Sequence, residues 1–127
     1  MLRSIMMMVG LVMFAGCPSD GVSPKQACED TASAECERVY ACLTPQEIMQ
    51  KMLPESEAAC VTALQANRGC AAQTTKNACT GNAKYDASEA AKCSDQVSGL
   101  ACSQVRDPFF DIKTEAPACA NICKTGT

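Results

Sequence analysis

The sequence predicts an all-α fold, a small disulfide-stapled bundle of about four to five helices. Three observations carry that expectation. Helix-start chemistry recurs along the chain, no run of β-branched residues alternates with polar ones, and 11 cysteines punctuate 127 residues. Alanine is abundant and buries little area at about 25 cal/mol per Å², so the core is thin and cross-links must compensate. Each disulfide typically contributes about 2–4 kcal/mol by restricting the unfolded chain.

Each element follows from its own signals. Ser23-Pro24-Lys25-Gln26 offers a Ser cap, Pro at the first helical position and Gln at the third, which starts a helix running to about Cys42. Thr44-Pro45-Gln46-Glu47 repeats that grammar and starts a short helix that Pro54 ends. Pro54 in turn opens a helix through Ala58, Val61 and Leu64, which Asn67-Arg68-Gly69 terminates. Asp86-Ala87-Ser88-Glu89 is a further capping box, followed by Cys93, Val97 and Leu100, and Gly99 bends or ends that helix. Glu115-Ala116-Pro117 introduces a last short helix carrying Cys119 and Cys123.

Periodicity constrains the cross-links. At about 100° per residue, Cys28, Ala32, Cys36, Val39 and Cys42 share one arc of about 120°, so the first helix turns its three cysteines to the core. Cys28 and Cys36 lie about 12 Å apart along a helix, whereas a disulfide needs Cα atoms within about 7 Å. That helix must therefore be stapled to other segments. Cys60 and Cys70 are disfavoured as partners on the same ground, unless Gly69 reverses the chain sharply. Cys93 or Cys102 joined to Cys119 or Cys123 is the expected bond at the C-terminal end, and Cys79 completes the set. Ten cysteines admit hundreds of pairings, among which spacing does not choose.

A faint internal echo links Ser56-Glu57-Ala58-Ala59-Cys60, with Cys70 beyond it, to Ser88-Glu89-Ala90-Ala91-Lys92-Cys93, with Cys102 beyond it. Two Ala-rich copies arise readily from composition, and a repeat array needs at least three.

The eleventh cysteine has a different setting. Arg3 precedes an apolar run, Ile5 to Gly16, of about twelve residues, where roughly twenty are needed to cross a bilayer. Phe14-Ala15-Gly16-Cys17 resembles the lipobox at which bacterial lipoprotein precursors are cut and acylated, with Phe14 where Leu is commonest. That resemblance implies a signal peptide over 1–16, an acylated Cys17 with a short tether over 17–23, and a single cysteine-rich helical domain over 24–127. Ten cysteines then remain, an even number suited to an oxidising compartment. The competing expectations are ordinary secretory cleavage, leaving Cys17 as an odd thiol, and a cytosolic chain with eleven reduced thiols. No Asp follows Cys17 directly, which for a lipoprotein implies the outer membrane of a bacterial cell envelope, although Pro18 is an unusual second residue.

A second likeness covers roughly the C-terminal third. Tyr85-Asp86-Ala87-Ser88-Glu89-Ala90-Ala91, Cys93, Cys102 and Pro117-Ala118-Cys119-Ala120-Asn121-Ile122-Cys123 resemble small cysteine-rich predicted lipoproteins of myxobacteria, with a looser match around Cys28, Cys36 and Cys42. The resemblance implies location and class, and transfers no activity to any residue.

Composition bounds the chemistry. Histidine is absent, which excludes Ser-His-Asp and Cys-His hydrolysis, His-ligated zinc, Cys-x-x-Cys-His haem attachment and the secreted phospholipase plan. No Cys-x-x-Cys occurs, so a thioredoxin-like site or a Cys₄ zinc ribbon is not supported. Cys119 and Cys123 are expected as structural disulfide partners rather than metal ligands. Glu55 with Glu57, and Glu29 with Asp30, diverge by about 100° or more on a helix and form no acid/base dyad. No loop alternates acidic ligands with a glycine as calcium requires. Neither a catalytic residue nor a cofactor is expected.

Without Arg3 the chain from Cys17 carries ten basic and fourteen acidic residues, a net charge of −4. These charges are scattered, which leaves no footprint for nucleic acid and no polybasic segment for anionic lipid, so membrane contact is expected from acyl chains on Cys17 alone. Only four aromatics follow Cys17: Tyr40, Tyr85, Phe109 and Phe110. One or both phenylalanines are expected to plug the thin core; the alternative is an exposed apolar anchor for a partner. Two functions emerge. The first is a non-catalytic envelope lipoprotein whose helical surface binds an envelope protein or glycan. The alternative is a carrier whose helices enclose an apolar cavity for a lipid, against which stands the lack of the Cys-Cys and Cys-x-Cys patterns of plant lipid-transfer proteins.

Overall fold

A computed structural model describes residues 21–126, and the expected signal peptide, Cys17 and most of the tether lie outside them. Helix α1 (Pro24–Cys42) is the spine. Ser23 caps it by accepting from the Gln26 N–H at 3.2 Å, but the Gln26 side chain turns forward to Asp30 rather than back, so only half of the expected capping box forms. α2 (Pro45–Gln50) starts on a complete box between Thr44 and Glu47. α3 (Glu57–Asn67) begins at Ser56, two residues later than Pro54, because the Ser56 hydroxyl accepts from the Ala59 N–H. Gly69, at φ 62°, then turns the chain into a single 3₁₀ turn, Cys70–Ala72.

The second half opens with strand β1 (Ala83–Tyr85) and continues through α4 (Ala87–Ser98), α5 (Cys102–Val105), α6 (Ile112–Glu115), α7 (Pro117–Ala120) and strand β2 (Cys123–Thr125). Asp86 caps α4 from the Glu89 N–H, and Gly99 ends it. β1 and β2 pair antiparallel, Ala83 opposite Thr125 and Tyr85 opposite Cys123. This ribbon corrects the expectation of no strands and of a final helix reaching Cys123. Three residues a side show no periodicity in sequence; the ribbon is imposed by the Cys79–Cys123 bond and by the Asp86 N–H donating to the Ile122 carbonyl at 2.7 Å. α5, α6 and the 3₁₀ turn likewise exceed the expected count, each being too short to display a helical period.

Five disulfides join Cys28–Cys70, Cys36–Cys60, Cys42–Cys102, Cys79–Cys123 and Cys93–Cys119, with Cα separations from 4.6 to 5.9 Å. All three cysteines of α1 staple outward, to the 3₁₀ turn, α3 and α5. Cys60 and Cys70 are not joined, and Cys93–Cys119 is one of the expected C-terminal pairings. The internal echo is not a structural repeat: Ser56 caps α3, whereas Ser88 lies inside α4, already capped by Asp86.

The core is built from small groups. α1 packs chiefly on α4, where buried Thr31 and Ala34 of α1 meet Cys93 and Val97 of α4 and permit close approach. Its largest fully buried side chains are Val97, Cys36, Cys70 and Cys93, so half-cystines supply much of the interior. Thr31, the buried polar residue of α1, satisfies its hydroxyl against Cys93 Sγ at 3.7 Å.

Candidate functional site

The two ends of α1 differ in character. At its N-terminus the chain is fastened before the helix begins. The Tyr85 hydroxyl donates to the Val22 carbonyl at 2.9 Å, and Gly21, at φ 77°, lies so close to Ala87 that a Cβ there would approach Ala87 Cβ to 2.3 Å. Burial raises the Tyr85 phenol above its ordinary value, with Asp86 adding to the effect, which keeps it a donor at neutral pH. Residues 21–23 therefore pack with the folded domain. A cleft of about 250 Å³ lies at this end, between Pro24, Ala27, Arg68, Gln73, Tyr85 and Ile122.

At the C-terminus of α1 a more apolar site is assembled. Tyr40 forms one wall, Pro45, Ile48 and Met49 of α2 the other, and Leu53 with Glu55 the exit; the cleft holds about 340 Å³. The Tyr40 hydroxyl donates to the Pro54 carbonyl, which fixes the ring as a wall and uses up its polar end. Met49, which lines the cleft, is 74% exposed, and Met52, next to the lining Leu53 in sequence, is 91% exposed. Among the described residues, Met52 is also the non-glycine residue that takes a left-handed conformation, φ 52°. A β-unbranched apolar side chain held outward on strained backbone is uncommon where Gly or Asn is preferred.

Polar contacts brace this end. Arg106 donates to the Cys42 carbonyl at 2.5 Å and approaches Glu47 at 3.5 Å, tying the start of α2 to α5. The Thr44 backbone N–H, helped by its hydroxyl, Arg106 and Lys51, lowers the Glu47 carboxyl from its ordinary value despite some desolvation, so it stays an anion and keeps its cap.

The two phenylalanines separate. Phe110 packs partly buried against the core, whereas Phe109 is 89% exposed. Of the carboxylates weighed in sequence, Glu29 pairs with Lys25 at 2.7 Å and Asp30 accepts from Gln26 at 2.6 Å; Glu35, not weighed there, pairs with Arg68 at 2.6 Å. Glu55 and Glu57 stay exposed and enter none of the described ion pairs. Among the described residues no three of Cys, Asp and Glu gather as metal ligands do, and no helix is long and apolar enough to cross a membrane.

The chain matches no known protein-family model, curated protein or solved structure.

Geometry thus gathers Tyr40, Ile48, Met49 and Leu53, of which only Tyr40, as one of four aromatics, stood out in the sequence. A clue was present in Lys51-Met52-Leu53-Pro54, where the chain must leave α2 and yet carries no Gly or Asn to turn it.

Proposed function

We propose that this protein is a non-catalytic lipoprotein of the bacterial envelope, tied to the outer membrane through acyl chains on Cys17, whose disulfide-clamped helical surface binds another envelope component. The observation that carries this reading is the pairing of all ten cysteines from Cys28 to Cys123 among themselves, which leaves Cys17 as the odd thiol behind an apolar leader. Five disulfides belong in an oxidising compartment, and the resemblance to small cysteine-rich predicted myxobacterial lipoproteins points the same way. Rigid surface display also suits a core of alanine and half-cystine. The lipid-carrier alternative is less well supported, because the described interior is filled by Val97, Cys36 and Cys93 while the apolar clefts open outward.

Intact mass of the native protein tests the reading. The expected mass is that of Cys17 to Thr127 plus acyl chains, less ten hydrogens for five disulfides. A chain that keeps its leader, or that offers eleven alkylatable thiols, overturns it.

A further inference from the structure

We infer that the Tyr40–Ile48–Met49–Leu53 cleft is a docking site for a cationic amphipathic helix of a partner protein. Four independent features converge there. The cleft is apolar and, at about 340 Å³, large enough for one or two bulky side chains. Of the two methionines after residue 13, Met49 lines the cleft and Met52 directly precedes the lining Leu53, both largely exposed; unbranched thioethers repack against varied apolar surfaces. Met52 is displayed by a left-handed backbone at φ 52° that glycine would hold without strain, and strain retained at an exposed apolar position suits a binding role better than a structural one. Acidic groups outnumber basic ones around the cleft: Glu55 lines the exit, Glu57 begins α3 two residues on and Glu37 is exposed one turn before Tyr40, none of them in a described ion pair, against Lys51 and against Arg106, which faces Glu47.

Chemistry narrows the occupant. A glycan needs several convergent polar groups, but the Tyr40 hydroxyl is committed to Pro54 and, beyond the Tyr40 ring and Glu55, the lining is aliphatic. Strand addition needs an open strand edge, and the described strands lie at the other end of α1, where Tyr85 meets Val22. A helix laid between helical walls, apolar face inward and Lys or Arg along its flanks, meets both the apolar cleft and the excess of acidic groups around it. The membrane is poorly placed to fill it: Tyr40 lies about 24 Å along α1 from Pro24, whereas Cys17 to Gly21 reaches only about 14 Å. That last point rests on the anchoring reading; the cleft itself does not.

The test uses the chain from residue 17 with Cys17→Ser, because the described fold and its five disulfides lie within residues 21–126 and the change removes any lipid. Probes are an idealised Leu/Lys amphipathic helix of about four turns and its Leu/Glu counterpart, titrated against the Met49 and Met52 methyl resonances. The Leu/Lys helix is expected to shift both methyls and to bind more tightly than Leu/Glu. Met49→Asp and Met52→Gly should each weaken it about ten-fold, a loss of the size of one buried apolar side chain. Met52→Gly, which relieves strain, should do so without lowering the melting temperature. Glu55→Lys with Glu57→Lys should reverse the charge preference. Unmoved methyls, equal affinity for the two helices, self-association through the same methyls, or shifts produced only by phosphatidylglycerol vesicles would each overturn the inference. Failure of Cys17 acylation leaves every one of these readouts unchanged, so the two readings fail separately.

Discussion

The Arg38 guanidinium donates to the Leu100 carbonyl at 2.6 Å, closing the end of α4 onto α1. The same Nη2 lies 3.4 Å from Cys42 Sγ and 3.8 Å from Cys102 Sγ, so one cation sits over the disulfide that joins the two segments, while its Nε is buried without a partner. Arg38→Met keeps the aliphatic stem but strands the carbonyl. A hydrogen bond from a charged donor contributes about 1.5–3 kcal/mol, and removing the unpartnered Nε offsets part of it. Urea denaturation with disulfides intact should therefore show a loss of about 1–2 kcal/mol. An unchanged midpoint would mean that water satisfies Leu100 as well as Arg38 does.

The five disulfides should not be equivalent. Cys93 is buried in the α1–α4 contact and tied to Cys119 of α7, whereas Cys79–Cys123 holds only the exposed ribbon. Paired Cys93→Ala and Cys119→Ala should cost about 2–4 kcal/mol and broaden the whole transition. Paired Cys79→Ala and Cys123→Ala should instead speed amide exchange across Ala83–Tyr85 and Cys123–Thr125 while protection in α1 and α4 persists. Equal global destabilisation by the two double variants would contradict this division.

Why some of this was readable in sequence follows from range. Ser23, Thr44 and Asp86 act on backbone three residues away, so their helix starts were legible from local chemistry alone. The α1 arc was legible too, because helical geometry forbids Cys28 to reach Cys36 whatever the tertiary fold. The ribbon was not: Tyr85 meets Cys123 across 38 positions, and its register depends on a disulfide whose partners spacing does not reveal. The Met cleft was hidden for a related reason. Tyr40 and Ile48 converge only because α2 folds back at Leu43-Thr44, and Met52 betrays its role through a backbone angle, not through any motif.

Gly21 tests the fastening of the chain before α1. Gly21→Ala brings a Cβ within 2.3 Å of Ala87 Cβ at φ 77°, a conformation alanine resists. Residues 21–23 should detach, releasing the Tyr85 hydroxyl from Val22, at a cost of about 1–3 kcal/mol. The Tyr85 ring resonances and phenol titration measure it, with the five disulfides unchanged by mass. An unmoved Tyr85 would show that the segment reaches its place without the close approach.

Asp86 and Lys124 set the pH limits of the ribbon. Lys124 Nζ lies 2.7 Å from Asp86 Oδ2; its hydrogen bond, with the Glu89 and Ser88 backbone N–H groups, lowers the Asp86 carboxyl below its ordinary 3.8, and the same pairing raises Lys124 above 10.5. A lowered acid stabilises the fold at pH above its unfolded value and loses that contribution as pH falls through the folded one; a raised base stabilises below 10.5 and loses it as pH climbs through its folded value. The pair is therefore fully formed from mildly acidic to mildly alkaline solution. Asp86→Asn preserves an N-cap but removes the charge, so wild type and variant should differ in melting temperature across that window and converge in acid below the aspartate range. Lys124→Met should shift the alkaline limb while leaving the carboxylate at the α4 N-terminus, where the helix dipole still favours it. Because both groups are solvent-accessible, added salt should shrink the Lys124→Met difference more than the Asp86→Asn one. Equal salt sensitivity of the two variants would mean that the ion pair, and not the charge at the α4 N-terminus, accounts for everything the Asp86 charge does.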